Sequence, residues 1–251
     1  MKKMNKLAKF GIGLLAGVLV VFAGFWLLVL WNTYPPEESY LLKAQSDQGL
    51  KIVEKSNYFI LTPARKDDAF KPILYYPGGL VDPQSYLFKM GKIAQLLGTE
   101  VYIIKAPFNV SIFDIPAAKR IMERYGMEQA WIGGHSLGGI TAGRFVANHP
   151  EKAYGLFLLG SYADRNLRNF EGPVFSMMGM EDFVIRRSNY EDAKANLPPL
   201  ALIIEVEGMN HADFGNYGPQ KRDGESSLSN EQVVEYIYES FRKASMVDGE
   251  S

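Results

Sequence analysis

Between residues 131 and 139 the chain reads Trp131-Ile132-Gly133-Gly134-His135-Ser136-Leu137-Gly138-Gly139. An apolar, strand-like run ends in glycines, reaches one serine and leaves into a helical pattern that begins near Leu137. Gly134-His135-Ser136-Leu137-Gly138 fits G-x-S-x-G. A serine that must present its hydroxyl at the edge of a sheet sits on a tight, strained strand-to-helix turn. The residues two places either side of it must then lack side chains, because a Cβ there collides with the strand or the helix. Gly139 adds a third small residue where helix and sheet come close. The bare pattern is weak by itself. Its context, strand before and helix after, gives it weight.

That context extends along the chain. Strands are expected at Ile73–Tyr76, 100–104, 130–133, 155–159, 174–178 and Leu202–Val206, where apolar residues run continuously. Helical spacing fills 83–97, 115–125, Leu137–Asn148, 188–196 and 231–246; Asp82 suits an N-cap, and Gly98 and Gly126 suit stops. Tyr58-Phe59-Ile60-Leu61 reads as one member of an antiparallel edge pair. Alternation of this kind gives an α/β domain, a mostly parallel central sheet with helices on both faces and right-handed crossovers. Only a dozen residues separate Leu159 from Gly172, which leaves no room for a large cap domain and implies an open site.

Ahead of this domain, Lys2, Lys3, Lys6 and Lys9 precede an uncharged run from Phe10 to Trp31. At 1.5 Å per residue this run spans about 33 Å, close to the hydrocarbon core of a bilayer. Trp26 and Trp31 lie near its outer end, where indoles favour the interface. The run exceeds a signal-peptide core and no A-x-A cleavage site follows it, so an uncleaved transmembrane helix is preferred over a signal segment. Lysines before the span and Glu37 and Glu38 after it orient the rest of the chain outside the cytoplasm, with a secreted protein as the alternative. Residues 1–34 are therefore read as a membrane anchor and 35–251 as the α/β domain, with residues 35–39 as a short linker. A net charge of −1 and the lack of an arginine-rich stripe give no reason to expect nucleic acid. With no cysteine, disulfides, thiolate metal sites and cysteine nucleophiles are excluded.

A serine hydroxyl is a poor nucleophile near neutral pH; it needs a base, and the base needs an orienting acid. The chain has three histidines. His135 adjoins Ser136 along the chain, where its side chain should point away from the hydroxyl, and His149 suits a helix C-terminus. His211 remains, in the glycine-bounded loop Glu207-Gly208-Met209-Asn210-His211-Ala212-Asp213 after the last strand. The acid is assigned to Asp182, in Gly179-Met180-Glu181-Asp182, giving the order Ser, Asp, His; Glu181 and Asp213 are its rivals. An oxyanion would take one backbone N–H from Leu137 and a second from Gly79 or Leu80, after strand Ile73–Tyr76. Tyr162, Phe108 and Phe214 are candidates to line an acyl pocket. Asp213, Lys221, Arg222, Asp223 and Glu225 read as a solvated charged loop rather than a metal site.

Taken together, Tyr75-Tyr76-Pro77-Gly78-Gly79-Leu80-Val81-Asp82-Pro83, Lys105 to Asn109, Gly133 to Gly139, and the long loop from Gly208 to Gln220 resemble the α/β-hydrolase superfamily. More narrowly they resemble a bacterial group of membrane-anchored, dienelactone-hydrolase-like proteins. The resemblance covers about residues 70 to 245. It implies a Ser136–Asp182–His211 triad, an esterase-type serine hydrolase working through an acyl-enzyme, a small-molecule acyl substrate and no cofactor. Dienelactone hydrolase itself has cysteine where this chain has Ser136, so its substrate does not transfer. An acyltransferase with the same triad, or a non-catalytic binding protein on the same fold, are the alternatives.

Overall fold

The structure, a computed structural model, describes residues 31–67 and 69–247, together with Gly17, Val21, Gly24, Trp26, Leu27 and Val29. Two units follow one another, Met1–Thr33 and Tyr34–Ser251. In the first, the described residues up to Asn32 are helical, and the Thr33 hydroxyl donates back to the Val29 carbonyl at 2.9 Å. Most of the 10–31 run expected to form an anchor lies outside the described residues. Among those described, no helix is long and apolar enough to cross a membrane.

In the second unit eight strands form one sheet: β1 (Leu50–Glu54), β2 (Tyr58–Pro63), β3 (Ile73–Tyr76), β4 (Val101–Ile104), β5 (Ala130–His135), β6 (Ala153–Leu159), β7 (Val174–Gly179) and β8 (Leu202–Val206). Their spatial order is β1-β2-β4-β3-β5-β6-β7-β8. β1 pairs with β2, and β2 with β4, antiparallel; every pairing from β4 to β8 is parallel. Parallel strands need helical crossovers, and those crossovers cover both faces of the sheet. This is why β3 to β7 are buried along almost their whole length and mostly apolar, rather than alternating. Along β3, Ile73 and Tyr75 face one core while Leu74 and Tyr76 face the other.

The first core lies under α1 (Glu38–Ser46), α2 (Leu87–Leu97) and α6 (Asn230–Val247), and the second under α3 (Ala117–Tyr125) and α4 (Leu137–Asn148). Trp131, Phe157, Phe175 and Phe241 form a fully buried aromatic cluster in the first core. Each such side chain contributes about 1.5–3 kcal/mol over leaving it in water. β8 is one of the two edge strands. There Glu205 is paired with Arg187, on α5 (Arg187–Ala193), and with Lys194, charges that discourage further strand pairing.

The linker expected at 35–39 is instead part of the domain. Tyr34 bridges Val81 in parallel, the Glu37 N–H donates to the Asn216 carbonyl at 2.8 Å, and α1 begins at Glu38. The helix expected at 83–97 divides into a 3-10 turn, Pro83–Tyr86, and α2. Asp82 caps the turn by accepting the Gln84 N–H at 2.9 Å. α3 starts two residues later than the apolar spacing indicates, because Pro116 occupies its N-cap.

Candidate active site

Ser136 stands between β5 and α4 with φ 53° and ψ −123°. Such backbone costs a side-chain-bearing residue about 1–3 kcal/mol and persists only where its surroundings fix it. They do so here through glycine. A Cβ on Gly134 or on Gly138 would strike the Tyr76 carbonyl, so strand, turn and helix close up only without one. The turn is fastened by the Ser136 N–H to the Leu159 carbonyl (3.0 Å) and by the Ser161 hydroxyl to the Ser136 carbonyl (2.7 Å). Leu80, Phe108 and Asn109, on the loops after β3 and β4, also have positive φ, as does Arg222 in the loop that bonds to His211 through Asp223. Backbone strain is thus concentrated on the loops around the serine.

β7 and β8 bring the acid and the base together. Asp182 Oδ2 lies 2.7 Å from His211 Nδ1, with both side chains buried. The other oxygen, Oδ1, accepts the N–H groups of Val184 and Ile185 at 3.0 Å each, so the carboxylate is fixed in orientation. A carboxylate at Nδ1 keeps the proton on that nitrogen and leaves Nε2 as an acceptor, the tautomer a base requires. His211 Nε2 has no hydrogen-bond partner among the described residues. The rivals of Asp182 are occupied otherwise. Asp213 Oδ2 accepts the Asn210 N–H at 2.9 Å, and Glu181 serves through its backbone, its N–H to Met209 O and its carbonyl from Gly224 N–H.

Of the two candidates for the second oxyanion donor, Leu80 is corrected by the structure. Its N–H donates to the Asn109 carbonyl at 2.7 Å and is not free to meet a substrate. The Gly79 N–H has no such acceptor among the described residues, and Gly79 packs against the Leu137 side chain. Leu137, the first residue of α4, also keeps its N–H unbonded among the described residues, as helix starts do.

Several contributors are invisible in the sequence. The Tyr86 hydroxyl joins the Gly78 N–H (3.0 Å) to His135 Nδ1 (2.9 Å), tying the glycine loop to the serine turn. Any Cβ on Gly78 would lie 2.9 Å from both groups. His135 is fully buried, its pKa held well below the usual 6.5 by desolvation, and its ring packs 4.4 Å from that of His211. It therefore supports the base as a neutral wall. His149 ends α4, its N–H on the Phe145 carbonyl at 2.9 Å.

Lys221, Arg222 and Glu225 of the charged loop are exposed, as expected, but Asp213 and Asp223 are half-buried and bonded. Asp223 accepts the N–H groups of His211 (3.1 Å) and Ala212 (2.8 Å). Lys89, buried on α2, donates to the carbonyls of Asp213 and Gly215. The His211 loop thus hangs on a carboxylate from one side and an ammonium from the other. Of the three aromatics expected to line a pocket, Phe214 is core, packed 5.6 Å from His135. Phe108 meets Phe113 edge-on at 6.4 Å, and Tyr162 is half-buried beside Ser161.

The comparisons agree with this architecture. The carboxylesterase CesB of Bacillus subtilis is 13% identical, with a TM-score of 0.57 over 82% of this chain and 95% of that one. A putative lipase from Acinetobacter baumannii is 14% identical, with a TM-score of 0.59 over 83% and 96%. A CIB-like hydrolase from Thermoplasma acidophilum is 16% identical, with a TM-score of 0.58 over 78% and 100%. At such identities the likeness is one of fold. No curated protein matches the sequence. A family profile described as the alpha/beta hydrolase family matches residues 72–235, well over half of the sequence. The chain belongs to the alpha/beta hydrolase family.

Proposed function

We propose that the protein is a serine hydrolase that cleaves a carboxylic ester or thioester through an acyl-enzyme. The observation that carries this reading is the buried Asp182–His211 pair at 2.7 Å, at the same sheet edge as a serine held at positive φ. Ser136 attacks the carbonyl carbon as His211 Nε2 takes its proton. Asp182 holds the imidazole tautomer and stabilises the imidazolium that forms. The N–H groups of Leu137 and Gly79 receive the oxyanion. Collapse of the tetrahedral adduct expels the alcohol or thiol, which takes the proton from His211. Water then attacks the acyl-serine by the reverse sequence. Every step uses side chains and backbone of this chain, and none calls for a cofactor.

The esterase and lipase names among the fold neighbours support ester chemistry as the substrate class. Within the family, the long Gly208 to Gln220 loop favours the membrane-anchored, dienelactone-hydrolase-like group. The lysine-led run from residue 10 to 31 favours a single-pass anchor with the hydrolase domain outside the cytoplasm. A small-molecule acyl compound, and no nucleic acid, is the partner.

The test is covalent labelling. A fluorophosphonate should modify the wild-type protein, and Ser136→Ala should abolish both labelling and ester turnover while the thermal unfolding transition stays in place. Turnover at the wild-type rate by purified Ser136→Ala protein would remove Ser136 from the mechanism.

A further inference from the structure

Resting on the hydrolase reading above, we propose that the catalytic edge of the sheet faces a lipid bilayer. The ester it takes is then an amphiphile resident in that bilayer, of the acylglycerol type. Three observations combine.

The first is where the domain is tethered. Its first residue, Tyr34, is fixed to the loop that carries the oxyanion donor. The Tyr34 N–H donates to the Leu80 carbonyl at 2.8 Å, and the Asp82 N–H to the Tyr34 carbonyl at 3.0 Å. Trp31, the last residue of the uncharged run, is three residues before Tyr34. Three residues reach about 10 Å when fully extended. The uncharged run therefore ends, along the chain, three residues before a residue fixed to the loop that carries the oxyanion donor.

The second is the character of that mouth. Phe113 is 63% exposed, Met180 52% and Phe183 64%. Phe113 lies on the loop after β4, two residues from Ser111, whose hydroxyl meets Thr141 Oγ1 on α4 at 3.1 Å. Met180 and Phe183 bracket Asp182 on the loop after β7. In the sheet, β4 is two strands from β5 on one side and β7 two strands on the other. At a spacing of about 4.8 Å per strand, the loops that carry these exposed apolar groups follow strands about 10 Å to either side of the serine strand. A small soluble ester has no use for apolar groups on both flanks. A lipid surface covers both.

The third is charge. Asp114, next to Phe113 along the chain, is engaged by Arg120 at 2.6 Å and 2.7 Å, so its charge is countered by a guanidinium.

The chain has no cysteine, which allows single-site labelling. Full-length Phe113→Cys, Phe183→Cys and Leu200→Cys proteins, each carrying an environment-sensitive nitrobenzoxadiazole probe, are reconstituted into phosphatidylcholine–phosphatidylglycerol vesicles. Leu200 is 75% exposed and precedes β8, at the opposite edge of the sheet. The probes at 113 and 183 should be blue-shifted and shielded several-fold from iodide, and the probe at 200 quenched. Equal quenching at all three positions overturns the proposal. So does shielding that grows with the protein-to-lipid ratio, which reports contact between copies. For the substrate, Phe113→Ser/Phe183→Ser should lower turnover of a vesicle-embedded dioctanoylglycerol several-fold relative to a short soluble p-nitrophenyl ester. An unchanged ratio overturns the substrate class. Failure of the wild type to react with fluorophosphonate and with either ester would overturn the hydrolase reading and the substrate with it; the probes decide bilayer contact independently.

Discussion

Asp182 and Glu181 follow β7 and Asp213 follows β8, and the hydrogen bonds each makes separate them. Asp182 accepts three hydrogen bonds, one from His211, and is shielded from water. Asp182→Asn preserves shape but stabilises the opposite imidazole tautomer and removes the charge facing the imidazolium. The expected loss in kcat is about 10⁴-fold, as for the same change in a serine protease triad. Asp213→Asn and Glu181→Gln should lose far less. Measuring kcat of all three on one ester decides the acid: a near-normal Asp182→Asn beside a collapsed rival transfers the role. The strand-to-helix turn at Ser136 and the pairing of Asp182 with His211 were legible in the sequence, because chain order and flanking glycines constrain them locally. Tyr86 and Asp223 were not. Tyr86 acts on His135 from 49 positions away, and Asp223 on His211 from 12, and nothing in their own neighbourhoods marks those partners. The choice between Gly79 and Leu80 was hidden for a related reason: the Leu80 N–H donates to the carbonyl of Asn109, on a different loop.

At the level of elements, the unit that places the nucleophile is β5, the turn at Ser136, and α4. Its geometry depends on contact with the end of β3, since Gly134 and Gly138 both abut the Tyr76 carbonyl. Gly138→Ala favours helix by propensity, by roughly 1 kcal/mol. Here the added methyl meets backbone, which cannot rotate aside, so β3 and α4 must separate and the serine must move. A displacement near 1 Å at a reacting atom costs about 10²-fold in rate. Gly138→Ala should therefore label with fluorophosphonate at least that much more slowly and unfold at a lower temperature. Labelling at the wild-type rate would show that the close approach is not what positions Ser136. The buried strands were legible because parallel strands covered on both faces are mostly apolar along their length. β1 and α1 were not. β1 is an edge strand carrying Lys51 and Glu54, and α1 buries only Ala44 completely, so neither shows a clear period.

Across the whole molecule, Lys89 links the helix layer to the catalytic loop, and it titrates. It sits on α2 among Leu87, Phe88 and Met90, all buried, yet extends its ammonium to the carbonyls of Asp213 and Gly215. Burial lowers its pKa from 10.5 to about 8, against the opposing pull of Asp213, Glu37 and Glu231. The sign follows from proton counting. Between about pH 8 and 10.5 the unfolded chain holds this proton and the folded chain has released it, so unfolding takes up a proton and becomes harder as pH rises. The stability owed to this group is thus full above 10.5 and is lost as pH falls through 8. Lys89→Met keeps the apolar stem and removes both the titration and the two donors. The difference in unfolding temperature between wild type and Lys89→Met should shift in favour of the wild type from pH 7 to pH 10. Comparing the two proteins cancels the tyrosines, whose buried hydroxyls, Tyr75 and Tyr86 among them, resist ionisation and act in the opposite direction above pH 10. Thermal melts of both proteins at several pH values across that interval supply the measurement. A difference that stays constant from pH 7 to pH 10 would mean that Lys89 keeps its proton throughout, held by the two carbonyls as a permanent cation.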